Sequence, residues 1–568
     1  MTSRPHIAAD VAAALTAAIP PRLIKRLDAE PTLAEKWTWS DAAVTTDKGD
    51  TVALTLADGI VTGVACSCLL APKCLHVAAV VTLLEPAGAV ATPAAPVAAA
   101  QISAVASPAV VDAAAAAFRA CAGVLATGGE ASGAFAQAEV LRSIHACRAV
   151  GLHRLASAQT RALRSIRDLR ADRPEFALAV LAADLREALA VAHAVAAGDA
   201  SPALVGTARR EYEPVGNLKL RGVLTEAVVA RSGYAGAVTY LVDDKGRFYS
   251  RADVAPGDAG RAVAAYDASA SIGDAVLPHR ELCRSGLFVS DATASADGRL
   301  GAGQRVRAVR ATDPSRWDAD PLAARFREPL RDQLARLAAR EADPDDQRPA
   351  GADLMFLEGT LIAGNSATGM VTAAEATPLR FTTHDHRALA ARDNLSVLAR
   401  AAGLAVRVVG RARIGTPREL ELLAIAPAPG ESRLQLPDAW HGRANIHYDR
   451  LSIPAMGSSA GVAVAPPPPM EDLLAPLRRR VERVVLGGAN TLPTHALAEL
   501  EREAAALAER ALRGAADALR DLGALAHDAA RTATGTRRPL DRPTFARAWL
   551  RAALYEDAAR RRLSVASW

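Results

Sequence analysis

Cys66-Ser67-Cys68-Leu69-Leu70-Ala71-Pro72-Lys73-Cys74-Leu75-His76 is the stretch on which the fold turns. As a pattern it reads C-x-C-x5-C-x-H. Two strand-like runs precede it, Thr51–Leu56 and Ile60–Cys66, joined by Ala57-Asp58-Gly59. An Asp-Gly pair between apolar runs is a hairpin signal. An apolar run follows, Val77-Ala78-Ala79-Val80-Val81, and reads as a helix. Alternate residues of a strand share a face, so the sulfurs of Cys66 and Cys68 can meet one centre. Pro72 helps turn the chain. Cys74 and His76 arrive at the start of the helix, where free N–H groups favour thiolates. Zn2+ takes four soft or borderline ligands at tetrahedral corners, and this stretch supplies three thiols and an imidazole. All four positions are filled by the protein, so the expected metal is a structural Zn2+, one per chain. Lys73 lies beside it to soften a formal charge of about −1. A redox thiol cluster and chance packing of small apolar cysteines are the competing readings.

The pattern resembles the SWIM zinc finger: C-x-C at a strand end, a variable spacer, then C-x-H opening an apolar helix. The resemblance covers roughly residues 50–84. It implies Cys66, Cys68, Cys74 and His76 as ligands, a role in binding DNA or protein, and no catalytic residue. The whole chain resembles multidomain actinobacterial SWIM proteins.

Around this core the chain has 568 residues, half of them hydrophobic and 23% charged. That is enough for several domains with real cores. The expected class is a multidomain α+β protein. Residues 1–85 form the zinc module, and 86–107 an uncharged Ala/Pro linker. Residues 108–212 read as a helical domain and 213–315 as a β-rich, barrel-like domain. A helical connector spans 316–350 and a second β-rich domain 351–465. A four-proline run, Pro466–Pro469, opens a C-terminal helical region over 466–568. There Leu497, Leu500, Ala504, Leu507, Ala511, Gly514 and Ala518 step by three and four, like a heptad seam.

The net charge is +5, from 67 basic and 62 acidic residues, which argues against a wholly basic nucleic-acid binder. Only six of the basic residues are lysine. Arg142, Arg148, Arg154, Arg161 and Arg164, with Arg167, Arg170 and Arg173, form the densest basic stretch and are candidate phosphate contacts. From Arg161 to Arg173 the step of three spirals around a helix, which favours a solvated surface. Near the C-terminus Arg537, Arg538, Arg542, Arg547 and Arg551 surround Phe545, Trp549 and Tyr555. Stacking on bases and ordinary packing both explain that pattern. His384-Asp385-His386 reads as an exposed loop. No phosphate loop, nucleophile elbow or HExxH is present.

The six cysteines, three of them crowded into nine residues, do not form a secreted disulfide framework. With no apolar stretch of about 20 residues free of charge and proline, no membrane association is expected, and the expected location is cytoplasmic. The expected function is therefore a non-enzymatic interaction protein with a partner that is another protein or DNA. Near-balanced charge and the seam favour assembly with protein. The alternative is an enzyme acting through its β-rich blocks, with the finger as a targeting device.

Overall fold

A computed structural model describes residues 4–568 except 87–105, 341–347, 363–368, 373–377, 413–417, 453–471, 493–496, 529–538 and shorter segments of up to five residues. It is a mixed α+β structure that divides into two compact units. Unit 1 is residues 1–208 with 471–558, and unit 2 is residues 209–470 with 559–568. Most of the Ala/Pro linker and the four-proline run lie outside the described residues.

Unit 1 begins with a small sheet. Its strands are β1 (His6–Ile7), β2 (Thr38–Trp39), β3 (Ala43–Thr45), β4 (Thr51–Ala57), β5 (Ile60–Cys66) and β6 (Glu85–Pro86), in the order β2-β3-β4-β5-β1-β6. The hairpin β4–β5 forms as the Asp-Gly pair predicts, with Gly59 at φ 77°, a left-handed conformation that glycine adopts freely. Helix Leu75–Val81 packs on this sheet. Val77, Val80 and Val81 join Ile7, Val44, Val52 and Val61 in one core.

Beyond it lie four helices, Pro108–Thr127, Ala134–Ala149, His153–Arg170 and Leu178–Ala196. Helix Pro108–Thr127 is the one described helix long and apolar enough to cross a membrane. Half of it is buried, and it carries Asp112 and Arg119, so it reads as a core helix. The C-terminal helix Ala475–Gly487 returns to this bundle through glycine. A Cβ on Gly128 (φ 86°) would lie 2.4 Å from the Gly487 and Gly488 backbone. Gly129 N–H donates to Val485 O at 2.8 Å. Only glycine permits that approach.

The heptad-like seam is not one helix. Helix Leu497–Glu509 ends, Ala511 takes φ 63°, and a second helix runs Arg513–Asp528. The two pack together, with Arg520 reaching Glu501 at 2.8 Å. Small residues at the seam serve close intramolecular packing: Gly514 leaves room for the ring of Tyr555.

Unit 2 holds two sheets. The first contains β7 (Glu213–Ala230), β8 (Tyr234–Asp243), β9 (Phe248–Pro256), β12 (Ser285–Ala294) and β13 (Arg307–Pro314), antiparallel in the order β13-β12-β7-β8-β9. A two-stranded hairpin, β10 (Ser269–Ile272) and β11 (Ala275–Pro278), accompanies it. The second contains β14 (Leu354–Ile362), β15 (Gly369–Thr372), β16 (Pro378–Thr382), β17 (Ala405–Ala412), β18 (Glu419–Pro427) and β19 (Ala444–Asn445). Its order is β16-β15-β14-β17-β18-β19, and β16 also pairs in parallel with β18. That extra pairing curls the sheet into the small-barrel form the Gly-rich alternation predicts.

Buried polar groups join the elements of unit 2. Arg284 and Asp449 pair at 2.5 Å, and both are 5% exposed. Tyr266 O–H donates to Asp449 Oδ1 at 2.9 Å, and Asn445 N–H to Oδ2 at 2.6 Å. Arg443 lies fully inside and donates to the carbonyls of Ser315 and Gly222 at 2.7 and 3.2 Å and of Cys283 at 2.5 Å.

Two buried histidines, His279 and His447, are held neutral because burial lowers each to about 4. Unfolding returns them to about 6.5, so the unfolded chain binds more protons between those values. Unit 2 is therefore expected to lose stability as pH falls from about 6.5 toward 4, by on the order of 3 kcal/mol per histidine. Urea midpoints of wild type and His447→Gln across this range check it. A wild-type slope no steeper than the variant's would contradict it.

Candidate metal centre

The four residues singled out by spacing meet in unit 1. One ligand atom each from Cys66, Cys68, Cys74 and His76 lies within 4.8 Å of all the others. Cys66 is the last residue of β5 and Cys68 lies two residues beyond it, with Ser67 between them locked to the neighbouring strand. Ser67 N–H donates to Thr51 O at 2.9 Å, and Thr51 N–H to Ser67 Oγ at 2.8 Å. Cys74 is the N-cap of helix Leu75–Val81, its Sγ accepting from Val77 N–H at 3.4 Å. His76 sits one residue inside the helix, with Nδ1 3.7 Å from Cys66 Sγ. That spacing is near the edge of a tetrahedron with metal–sulfur bonds of ~2.3 Å and metal–nitrogen bonds of ~2.0 Å. Nδ1 is thus the nitrogen turned toward the thiols.

Electrostatics show why the group calls for a cation. Burial pushes the Cys66 thiol up to about 12. It also raises Cys74, against the pull of the Val77 N–H. At Cys68 burial works in the same sense. The Leu70 N–H and the neighbouring sulfurs outweigh it and hold this thiol below its ordinary value. Three thiolates cannot coexist here without a positive centre, and a divalent cation reverses the balance. The cluster can therefore hold one metal ion.

Two neighbours escape a reading by ligand spacing. Asp50 Oδ2 lies 3.8 Å from His76 Nδ1. Trp37 presents itself edge-on to the imidazole at 5.6 Å between ring centres. Asp50 belongs to the β3–β4 turn and Trp37 to the segment before β2, so only the sheet's pairing brings them to the site. The spacer also does more than span a gap. Leu69 is fully exposed and Leu70 is 65% exposed, so the ligands hold an apolar tip in water.

The basic stretch meets carboxylates. Arg154 Nε lies 3.0 Å from Glu187, and Arg161 reaches Asp184 at 2.7 Å and Glu187 at 2.5 Å. Arg142 faces Glu139 at 3.9 Å, Arg164 faces Asp168 at 3.8 Å, and Arg148 donates to Thr160 at 3.3 Å. Arg170 donates to Glu130 O, tying helix to loop.

In the C-terminal stretch Phe545 and Trp549 are buried. The Trp549 indole donates to Val481 O at 3.0 Å, so these two rings pack a core. Arg537 and Arg538 lie outside the described residues. His386 Nδ1 accepts from Ala388 N–H at 3.2 Å, and Asp385 lies outside the described residues. Among the described residues no second cluster of metal-ligand type forms.

Compared with known proteins, the chain matches no family model, no curated sequence and no solved structure.

Proposed function

We propose that the protein is a non-enzymatic adaptor whose SWIM-like module holds one structural Zn2+ and docks another protein. The observation that carries this reading is the convergence of Cys66, Cys68, Cys74 and His76 within 4.8 Å, which offers the four ligands a tetrahedral site takes. A metal so enclosed leaves no coordination position for water or substrate, so its work is mechanical. Three thiolates and one imidazole suit zinc over harder cations.

Two further features favour a protein over DNA as the partner of this module. Arg154, Arg161 and Arg164 of helix His153–Arg170 spend their charge on Asp168, Asp184 and Glu187. The surface the metal does present is the Leu69–Leu70 tip, which suits an apolar pocket.

The test separates tip from metal. The double variant Leu69→Asp/Leu70→Asp changes two exposed side chains and no ligand. It is expected to keep about one zinc per chain and to lose at least ~10-fold affinity for proteins that co-purify with wild type. Equal recovery of those proteins by the variant would refute the docking role. Absence of zinc from the wild-type chain would refute the metal.

A further inference from the structure

The outer face of the first sheet of unit 2 has an arrangement that the metal centre does not explain. Strand register places nine residues on it in three rows. Phe288 of β12 is centred between Val309 of β13 and Lys219 of β7. Beside that row Ser290 pairs with Arg307, and Asn217 lies across a bulge where its Oδ1 accepts from the N–H of the exposed Asp291 at 3.4 Å; on its other side Gly286 pairs with Arg221, with Ala311 next to it. The alternate residues Leu218, Leu220, Leu287, Val289 and Ala308 point the other way, into the core. Phe288 is 51% exposed and Val309 65%.

No carboxylate occurs among the nine positions, while three are cations. Asp244, in the β8–β9 turn, approaches from the rim, 3.8 Å from Lys219 and 4.0 Å from Arg221. Asp313 lies beyond Ala311 at the end of β13. Lys219 Nζ stands 5.9 Å from the centre of the Phe288 ring.

We infer that this face binds single-stranded nucleic acid, with a base stacked on Phe288. An exposed aromatic on an inner strand of a sheet gives a base its flat apolar partner. Lys219, Arg221 and Arg307 surround it as phosphate partners, and Lys219 and Arg221 lie two residues apart on one strand, about 7 Å. Asn217 and Ser290 supply amide and hydroxyl groups for base edges. The cations are what select a polyanion over an apolar partner as the occupant. A duplex hides its base faces, so the ligand is a single strand. The proposal is independent of the zinc module, because every residue it uses belongs to unit 2.

The experiment is fluorescence anisotropy of a labelled oligothymidylate of about 20 nucleotides titrated with the full chain. Binding is expected to weaken between 50 and 200 mM salt, with a log–log slope near −2 for three phosphate contacts. Phe288→Ala should weaken it about tenfold, while Phe288→Tyr keeps it. Lys219→Gln/Arg307→Gln should flatten the slope. Because these side chains are exposed, an unchanged thermal transition shows that the variants fold. Metal-stripped protein should bind as wild type does, which separates this site from the zinc module.

Three results would overturn the inference. They are no binding by wild type, equal binding by Phe288→Ala, and equal affinity for duplex. A concentration-dependent dimer that Phe288→Ala abolishes would also overturn it, by assigning the face to a second copy of the chain.

Discussion

Cys74→Ser is expected to remove the metal from the amino-terminal module and to unfold that module. Serine is itself a good N-cap, so the hydrogen bond that Cys74 Sγ accepts from Val77 N–H survives in kind. What disappears is the thiolate at one corner of the tetrahedron. Structural zinc contributes apparent binding energies of roughly 10 kcal/mol or more in small zinc domains, which is comparable to a whole domain's stability of about 5–15 kcal/mol. The module has little to fall back on. Three of its six strands are only two residues long, and its core is that of one small sheet and one seven-residue helix. Elemental analysis should fall from about one zinc per chain to near none. Amide protection should vanish over Leu75–Val81, and protease should cut between β5 and that helix. His76→Ala should do the same. Cys121→Ser, a buried thiol far from the cluster in sequence, should leave the zinc content unchanged. Retention of metal and protection by both ligand variants would remove the basis of the zinc assignment.

The reach of the sequence follows from distance along the chain. The four ligands lie within eleven residues, so strand alternation and one helical turn place them together without help from elsewhere. The β4–β5 hairpin was equally readable, because the Asp58-Gly59 pair is local. The seam from Leu497 to Ala518 had the right spacing and the wrong continuity. Periodicity does not see the reversal at Ala511, where a non-glycine residue takes φ 63°. Phe288 was hidden for a related reason. It stands in the run Gly286-Leu287-Phe288-Val289, where apolar residues on both faces erase the alternation that marks one side as solvent-facing. Least legible were the long-range closures. Gly128 meets Gly488, and β7 borrows Asn445 as the acceptor for Thr225 N–H at 3.0 Å. No local signal announces such partners, because each residue is ordinary in its own neighbourhood.

The strongest consequence of those long-range closures lies in unit 2, where Asp449→Asn is expected to cost about 3–5 kcal/mol. Among the described residues Asp449 is the carboxylate paired with Arg284, and Arg443 beside them hydrogen-bonds to carbonyls and feels the same carboxylate through space. Two buried guanidinium groups thus depend on one negative charge. Asparagine keeps the shape and removes that charge. Its amide also turns an NH2 toward either Asn445 N–H or Tyr266 O–H, each of which now donates to a carboxylate oxygen. An uncompensated buried charge is more costly than the pair is stabilising, so the loss exceeds what one hydrogen bond contributes. Denaturant titration followed by amide protection in β7 and β12 should show a lower midpoint with an unchanged slope. The double variant Arg284→Met/Asp449→Asn should recover part of the loss, because it leaves one stranded cation where the single variant leaves two. If the double variant instead falls by the sum of the two single losses, the groups act independently. The charge cluster would then not be what ties residues 443–449 to the first sheet.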